Sequence, residues 1–559
     1  MNKRFQDLQN SIYSIVTNQN NLVLLFAFCA FFYVISAIVG TITHYSPVPF
    51  WDMWSGYLGF FTIIDHDPTF WWSQHNEHRI ILSRFLFWID IAIFHGTLIF
   101  LLIVNYLLIF ASCTILFFCS KEISLLRHCE RSAATQNIIN FLILILLFSR
   151  MQIENLDQPF QSTFLLAQFL PLLSFYLFHQ AQKSQKHQVR LFLLTCLIGL
   201  MSAGSMVNGI LVLPLIAALS IFFKMKWRLV ALPSILSAII IPLYFRNYST
   251  PVNYGLTDAL GHPVDLIQYI CSYLGNPFYG LFHVRFISEI AGLFLILNSI
   301  FFAWSYHKNP TRFSLEVALL AFILYIEISA VMAGIGRLHF GIEQSFSSRY
   351  NTPALMSWAT LLILYLPLIA PKFANNFTRF ALIIFLIPIS FLPQQISNLA
   401  SPKAELFEYK IAALATALKI EDREQLSKIF IPEWMLTQTK PMIERHLSIF
   451  GNPLFKNVNQ LIGTVEQNHF TNICAGNLEK ITTIEDQKYL QIQGWISEEN
   501  SNLVPKIIHV TNSENKIIGY ALSDQALGFK GYLLKEFSDK KITLRGFEPN
   551  CELQIVTNE

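Results

Sequence analysis

The feature that most constrains this chain is a series of about eleven apolar segments, most of them near the roughly 20 residues that a helix needs to cross a bilayer. They lie at 21–43, 95–119, 136–150, 161–180, 190–206, 208–223, 228–246, 286–304, 314–333, 354–370 and 378–393. Hydrophobic residues make up 53% of the chain and charged residues 13%, against about 25% charged residues in a soluble domain. The segments therefore predict a polytopic transmembrane helix bundle and a mainly α fold.

The loops between these segments alternate in charge. One set is short and basic, and it comprises Lys121–Arg131, Lys183–Arg190, Lys224–Arg228, His307–Arg312 and Lys372–Arg379. The other set carries acids, aromatic residues and proline, and it comprises His44–His78, Met151–Gln161, Asn247–Tyr279 and Gly334–Pro353. Because Lys and Arg are retained on the cytoplasmic side, the pattern predicts a cytoplasmic N-terminus, which carries Lys3 and Arg4. An odd number of spans then places everything after Leu392 on the outer side.

The chain changes character after the last span. Residues 401–456 include AELFEYKIAALATALKI, whose apolar positions at i, i+3, i+4 and i+7 predict a helical linker region. Residues 457–559 contain alternating or β-branched segments such as YLQIQGWI and KITLRGF, which predict a small extracytoplasmic β-sandwich. We therefore expect a bundle at 1–400 with a large first outer loop at 44–94. Cys474 and Cys551 would pair if the β-domain lies in an oxidising compartment.

The first outer loop is the densest polar region of the chain, and ionisable groups near a bilayer usually mark a site because they are costly there. Asp52 closely follows the first span and is flanked by Trp51 and Trp54. A carboxylate between indoles at the membrane face is partly desolvated, which suits it to act as a general base. The alternative is a solvated loop acid at a belt of aromatic residues.

Two further strings follow in the same loop. Asp65 and Asp67 have the D-x-D form that holds a divalent cation through oxygen ligands, but the proline after Asp67 equally indicates a turn. The string HNEHR covers residues 75–79, and on a helix only His75 and Arg79 share a face, so the string converges only as a loop. Arg79 at the mouth of a span suits an anionic group such as phosphate. The alternative is a cluster that snorkels to the membrane surface.

The last outer loop, GIGRLHFGIEQSFSSRYNTP, holds Arg337, Arg349 and Tyr350. Two arginines on the outer side run against the usual charge bias, which favours a functional interpretation. Together with Arg79 they could form a pocket for a phosphate or pyrophosphate near the membrane. The alternative is pairing within the protein, for instance between Arg337 and Glu343.

Several function classes find no support in the sequence. There is no P-loop, no dinucleotide-binding fingerprint and no G-x-S-x-G elbow, so nucleotide-driven transport within this chain is not expected. The net charge of +3 gives no indication of a nucleic-acid partner.

The overall plan resembles the GT-C glycosyltransferases, which have a cytoplasmic N-terminus, many spans and an acidic residue in a large first outer loop. Asp52, in WDMW, holds the matching position. The strings HNEHRIILSRFLF and GRLHFGIEQSFSSRY also resemble a bacterial branch of polytopic proteins with this architecture, and RHLSIFGNPLF, QGWI and GFKGY are similar to its C-terminal portion. The likeness covers nearly the whole chain. It departs from the superfamily in lacking an Asp-Glu pair directly after the first span and a WWDYG-type motif.

This resemblance implies a glycosyltransferase of the bacterial cytoplasmic (inner) membrane. The donor would be a sugar on a polyprenyl phosphate or pyrophosphate, and the acceptor a glycan, lipid or protein on the periplasmic side. The resemblance implies Asp52 as the base and the arginines as groups that stabilise the departing phosphate. With the loop patterns, the candidate site residues are Asp52 and Glu77 as catalytic groups, His75, His78, Arg79, Arg337, Arg349 and Tyr350 as substrate-binding groups, and Asp65 and Asp67 as candidate ligands of a divalent metal ion. The alternatives are a transporter or flippase of lipid-linked sugars and a non-enzymatic envelope assembly protein whose β-domain binds glycan or partners.

Overall fold

The computed structural model describes residues 19–126, 133–249, 255–308, 310–373, 376–470, 472–526, 528–537 and 541–555. Lys3 and Arg4, and residues 127–131 of a predicted basic loop, lie outside this part. The chain divides into two compact units. The first comprises residues 1–43, 72–85 and 101–400, and the second comprises residues 44–71, 86–100 and 401–559.

The first unit is a bundle of apolar helices. In the described part of the chain, nine helices are long and apolar enough to cross a membrane by length and composition, and two shorter apolar helices accompany them. We label them α1 Gln19–His44, α2 Ile99–Leu126, α3 Ala133–Leu147, α4 Ser162–Lys183, α5 Gln188–Ser202, α6 Val212–Phe222, α7 Trp227–Phe245, α8 Arg285–Tyr306, α9 Ser314–Arg337, α10 Asn351–Phe373 and α11 Phe377–Ser397. Each coincides with one predicted span, so the polytopic helical bundle is confirmed.

Short helices and turns connect the long helices. They are the α-helices Ile153–Asp157, Leu256–Gly261, Pro263–Leu274 and Asn276–Phe282, and the 3₁₀ turns Arg150–Gln152, Pro159–Gln161, Val207–Leu211, Pro310–Phe313, Leu338–Phe340, Ile342–Phe346 and Ser348–Tyr350. Two further short helices, Pro68–Trp72 and Ile81–Phe94, contain the points where the chain passes between the units.

A buried ion pair fixes one part of the bundle. Arg150 is fully buried, and its Nη2 lies 2.6 Å from Oδ2 of Asp157. Its Nε donates to the Asn398 carbonyl at 2.7 Å, and its Nη1 donates to the Ala37 carbonyl at 3.2 Å. The guanidinium passes against α1 at Gly40, where an added Cβ would lie 2.1 Å from Nη1. A glycine is therefore required at this point of α1.

The second unit combines short helices with a β-domain. Its helices are Met53–Gly59, which has π geometry, Phe60–Ile63, Lys403–Leu418, Arg423–Ser427, Pro432–Gln438, Lys440–Glu444 and Val458–Leu461, with 3₁₀ turns at Ser448–Gly451 and Lys535–Phe537. Aromatic contacts join the first-loop segment to the C-terminal helices, as between Phe50 and Tyr409, whose ring centroids are 5.1 Å apart. The segment predicted as a helical linker is helical as expected.

The described strands of the C-terminal domain form a closed barrel. They are β1 Asn472–Thr483, β2 Tyr489–Glu498, β3 Ile507–Thr511, β4 Ile517–Asp524, β5 Gly528–Leu534, β6 Ile542–Phe547 and β7 Cys551–Ile555, in the order β1-β2-β5-β4-β3-β6-β7. A small β-domain was expected, but as a two-sheet sandwich. The parallel pairing of β1 with β7 closes the ring instead, which removes the exposed sheet edges. Cys474 and Cys551, whose pairing the sequence left open, form a disulfide between these two strands.

A charge network ties the helix Lys403–Leu418 to the barrel within the second unit. Glu408 Oε2 lies 2.6 Å from Nζ of Lys428 and 2.9 Å from Nζ of Lys530 on β5, and Gln425 also donates to it at 2.8 Å. Burial raises the pKa of Glu408, but these hydrogen bonds and the charge of Lys530 outweigh it and lower the pKa to about 2. The folded protein therefore holds Glu408 ionised.

This network predicts a dependence of stability on acid pH. Because the pKa of Glu408 falls from 4.5 to about 2 on folding, its contribution to stability is present above pH 4.5 and is lost as the pH drops toward 2. We expect Glu408→Gln to flatten this part of the profile, measured by denaturation of the full chain at graded pH. Glu548→Gln removes an exposed carboxylate whose Lys506 partner is equally exposed, and this control should leave the profile unchanged. A Glu408→Gln profile identical to wild type would contradict the assignment.

Candidate functional site

The string HNEHR forms a tight turn. The backbone N–H of His75 donates to the His78 carbonyl at 2.8 Å, and the N–H of His78 donates to the His75 carbonyl at 2.9 Å. Asn76 adopts a φ of 49°, a left-handed conformation that asparagine tolerates better than most residues. This geometry pairs His75 with His78 across the turn and places Glu77 near its tip. The string therefore forms a loop, which is the conformation that its side chains need in order to converge.

Glu77 pairs with the arginine that ends α9. Its Oε2 lies 2.7 Å from Nη2 of Arg337, and both side chains are about one-quarter exposed. The guanidinium of Arg337 also lies over the ring of Phe340, at 5.8 Å from the centroid. Arg337 was expected either in an anion pocket or paired with Glu343. Its partner is Glu77, so the first and last of the predicted outer loops meet here.

Arg349 lies in an aromatic setting with a second glutamate. Its guanidinium carbon is 5.9 Å from the ring centroid of Phe164 and 5.5 Å from that of Tyr350. Its Nη1 lies 4.0 Å from Oε2 of Glu154, a long ion pair between partly exposed side chains. Tyr350 is buried and its ring lies 4.8 Å from that of Tyr273. Cation–π contacts of this kind hold a guanidinium without using its hydrogen-bond donors.

Burial and nearby positive charge both act on the side chain of His78. Burial lowers the pKa of His78 to about 3, and the charges of Arg337, His75 and Arg349 contribute to the shift. The charges of both arginines thus act on the same imidazole. His78 is neutral at physiological pH, so the arginines carry the positive charge. We call Glu77, His78, Glu154, Arg337 and Arg349 the arginine cluster.

Arg79 has a different environment from the other two arginines. It is buried, its Nε donates to the Tyr244 carbonyl at 2.7 Å, and its Nη2 donates to the Arg246 carbonyl at 2.7 Å. Its Nη1 donates to the carbonyl of Trp72, and the guanidinium lies 5.2 Å from the Trp72 ring centroid. These bonds take up its donors within the fold and join three chain segments. We therefore leave Arg79 out of the anion site that is proposed below.

The D-x-D carboxylates in the second unit serve local structure. Asp67 Oδ1 accepts from the backbone N–H of Thr69 at 3.0 Å, as in a turn, and Asp65 Oδ2 lies 2.9 Å from Nη2 of Arg445. Over the ranges that the structure describes, no group of three or more His, Cys, Asp or Glu side chains could hold a metal ion. Asp67 thus matches the turn interpretation of the sequence, whereas Asp65 pairs with an arginine that is distant in the chain, and we propose no metal at either residue.

Asp52 directly precedes the helix Met53–Gly59 of the second unit and is partly exposed. Its two tryptophan neighbours differ in environment: Trp51 is 51% exposed, whereas Trp54 is fully buried with its ring 6.1 Å from that of Phe450. Trp54 is therefore a core residue, and only Trp51 is available to a membrane–water interface. The carboxylate of Asp52 stands at the border between this core and the surface.

The sequence patterns did not indicate two residues that lie near the arginines. Glu154 lies in the predicted outer loop 151–161, so its position was foreseeable, but its partner Arg349 is far away in the chain. Tyr273 lies in the amphipathic helix Pro263–Leu274, where a tyrosine reads as an ordinary core residue. Neither residue belongs to a local motif, so only the tertiary contacts identify them.

The described structure defines the chain as a polytopic, helical integral membrane protein with a small disulfide-bonded β-barrel. No protein-family profile matches the chain, and no curated protein matches it. A solved structure similar to it is the crystal structure of an oligosaccharyltransferase from Archaeoglobus fulgidus in complex with zinc and sulfate, at 13% identity and a TM-score of 0.41. The similarity covers 73% of this chain and 57% of that one.

Proposed function

We propose that the protein is an integral membrane glycosyltransferase of the GT-C type, which transfers a sugar from a polyprenyl-phosphate-linked donor to an acceptor outside the cytoplasm. The observation that carries the proposal is the arginine cluster, in which two guanidinium groups, each beside a glutamate, lie near the ends of membrane-length helices and act on the same histidine. Guanidinium groups match phosphate oxygens in both geometry and charge. A polar cluster at this position suits a lipid carrier whose phosphate sits at the membrane surface.

The cluster would act on the leaving group. When the bond between the anomeric carbon and the phosphate oxygen breaks, its electron pair stays on that oxygen, and Arg337 and Arg349 would stabilise the added negative charge. Glu77, expected as a catalytic group, is better assigned as the positioning residue that orients Arg337 through its 2.7 Å ion pair. His75, His78 and Tyr350 remain substrate-binding candidates because they border the same arginines.

We assign the general base to Asp52. The acceptor hydroxyl would lose its proton to the carboxylate as its oxygen attacks the anomeric carbon. The partial exposure of Asp52 keeps this carboxylate accessible to an acceptor. Asp52 belongs to the second unit, and its role is tested by its own substitution.

The proposed location is the bacterial cytoplasmic membrane, with the barrel on the periplasmic side. The disulfide between Cys474 and Cys551 supports this side, because disulfides persist in oxidising compartments. The basic loops support the same orientation. The proposed partners are a polyprenyl-phosphate sugar and a glycan, lipid or protein acceptor.

The arginine cluster yields a prediction for Glu77. We expect Glu77→Gln to lower the transfer rate roughly 10- to 100-fold, because a charge-assisted hydrogen bond that orients Arg337 is lost. Arg285→Gln is the matched control, since Arg285 is a partly exposed arginine 2.6 Å from Glu289 elsewhere in the same unit. Transfer is measured as the release of polyprenyl phosphate by membranes that contain each variant. Equal loss in both variants would point to general destabilisation and contradict the assignment.

The function itself is tested by mass spectrometry of cell-envelope glycans. We expect a glycan to disappear when the chain is deleted, to return with the wild type and Arg285→Gln, and to stay absent with Asp52→Asn. An unchanged glycan profile in the deletion strain and the Asp52→Asn strain would overturn the transferase proposal. Accumulation of a donor on the cytoplasmic side alone would favour the flippase alternative instead.

A further inference from the structure

The outer face of the strand pair β1–β2 carries an exposed tryptophan. Successive side chains of a strand point to opposite faces, and β2 follows this pattern, since Gly494 and Ile496 are buried whereas Gln493 and Trp495 are exposed. Trp495 is 45% exposed. Tryptophan is highly buried on average, so an indole that faces solvent marks this part of the barrel as a candidate binding surface.

The register of β1 against β2 places short side chains beside this ring. Asn477 lies opposite Trp495, and the next outward pair along the strands is Ala475 with Ser497. Residues that lie opposite each other in an antiparallel pair share one face of the sheet. Ala475 and Ser497 have short side chains and are partly buried. The sheet surface is therefore low directly next to the indole.

A taller pair of side chains bounds the other side of this low surface. Ile473 is 64% exposed, and its carbonyl accepts from the backbone N–H of Glu499 at 3.0 Å. Trp495 and Glu499 are four residues apart, which is roughly 13 Å along an extended chain and long enough for a short oligosaccharide. We call this surface the β1–β2 groove, and it is formed by Ile473, Ala475, Asn477, Trp495, Ser497 and Glu499.

The disulfide of the barrel lies directly behind the groove. Cys474 is buried between Ile473 and Ala475 in the sequence of β1, and its bond to Cys551 ties this part of β1 to β7. The strand that forms one side of the groove is therefore held in place before any ligand binds. A site that is already ordered loses less conformational freedom on binding.

The side chains of the groove match a neutral saccharide. A pyranose ring with equatorial hydroxyls has faces that carry only axial C–H bonds, and such a face packs flat against an indole. The exposed amide of Asn477 both donates and accepts hydrogen bonds, and the exposed carboxylate of Glu499 accepts them from hydroxyls.

Other ligand classes fit the same residues less well. Glu499 carries the one formal charge among the six residues of the groove, and a carboxylate repels phosphates, nucleic acids and acidic glycans. An apolar peptide or a lipid chain would cover Asn477 and Glu499 without replacing the hydrogen bonds that these side chains make with water. A sugar supplies both an apolar face and hydroxyl groups.

We propose that the β1–β2 groove binds a neutral oligosaccharide of pyranose units with equatorial hydroxyls. One sugar ring stacks on Trp495, and Asn477 and Glu499 hydrogen-bond to its hydroxyls. This binding activity goes beyond the proposed transfer reaction, which uses none of these residues.

Saturation-transfer difference NMR on the full-length protein in nanodiscs tests the proposal, with cellohexaose and chitohexaose as the probes. We expect the wild type to saturate the axial ring protons of the sugar. Trp495→Ala should bind roughly tenfold more weakly, because aromatic stacking is lost, whereas Trp495→Tyr keeps a ring and should retain most of the affinity. Ile481→Ala is the control, since Ile481 is an apolar residue of β1 that is 40% exposed and lies outside the groove.

Asn477→Ala is a second variant, which removes an exposed amide and leaves the indole in place. It should weaken binding several-fold, so the proposal remains testable if Trp495→Ala does not fold. No saturation transfer from the wild type beyond that of empty nanodiscs would overturn the proposal. Equal affinity of the wild type and both groove variants would also overturn it, as would a loss of self-association in Trp495→Ala without sugar binding by the wild type. Binding should persist in Asp52→Asn, so this result is separate from the test of sugar transfer.

Discussion

Replacement of Arg150 by methionine is expected to lower the free energy of unfolding by about 3 to 5 kcal/mol, the usual effect of breaking a buried ion pair. The substitution leaves the largely buried Asp157 carboxylate without the 2.6 Å contact to its guanidinium partner. It also removes donors from the carbonyls of Ala37 and Asn398. Reversible unfolding of the purified protein in mixed micelles measures the change.

A double substitution separates the charge from the packing. Arg150→Met combined with Asp157→Leu should cost less than Arg150→Met alone, because no buried charge is then left unpaired. Gly40→Ala should also destabilise the bundle, since the added Cβ would lie 2.1 Å from Nη1 of Arg150. A single Arg150→Met variant as stable as wild type would show that the pair does not hold the bundle together.

Removal of the disulfide is expected to destabilise the barrel by about 4 kcal/mol, as chain entropy predicts for a loop of this size. Cys474 and Cys551 are separated by 77 residues and join β1 to β7. Among the residues that the structure describes, these strands pair at two positions, Asn472 with Cys551 and Ile473 with Glu552. The disulfide therefore provides much of the connection between β1 and β7, the strands at the two ends of the barrel order.

Limited proteolysis and thermal denaturation of Cys474→Ser/Cys551→Ser measure this effect. Cleavage should appear first in the terminal strands β1 and β7. Cys113→Ser is the control, because this buried cysteine of α2 is a free thiol. If the double variant resists protease and heat as the wild type does, the disulfide is dispensable for barrel closure.

The helical bundle was predictable because a bilayer leaves a chain few choices. Backbone groups in lipid must bond internally, so each long apolar run becomes a helix. Even the short helices α5 and α6, at 188–202 and 212–222, were located from the apolar pattern. The barrel was less predictable. Alternation identifies strands, but whether they form two sheets or one ring depends on pairings such as β1 with β7.

The sequence indicated which residues belong to the site better than it indicated which of them pair with one another. The charge pattern selected the loops that carry Glu77, Arg337 and Arg349. It did not distinguish Arg79, which is bonded to carbonyls, from Arg337, which is bonded to a side chain. Local sequence cannot make that distinction, because the carbonyls of Tyr244 and Arg246 come from a distant segment.

We propose that the arginine cluster binds the phosphate of a lipid carrier. The most direct test is the binding of a short-chain polyprenyl phosphate to the full protein in nanodiscs, followed by ³¹P NMR or tryptophan fluorescence. We predict that Arg337→Gln/Arg349→Gln weakens binding roughly 100-fold, whereas Arg285→Gln binds as the wild type does. Equal affinity of the double variant and the wild type would contradict the claim.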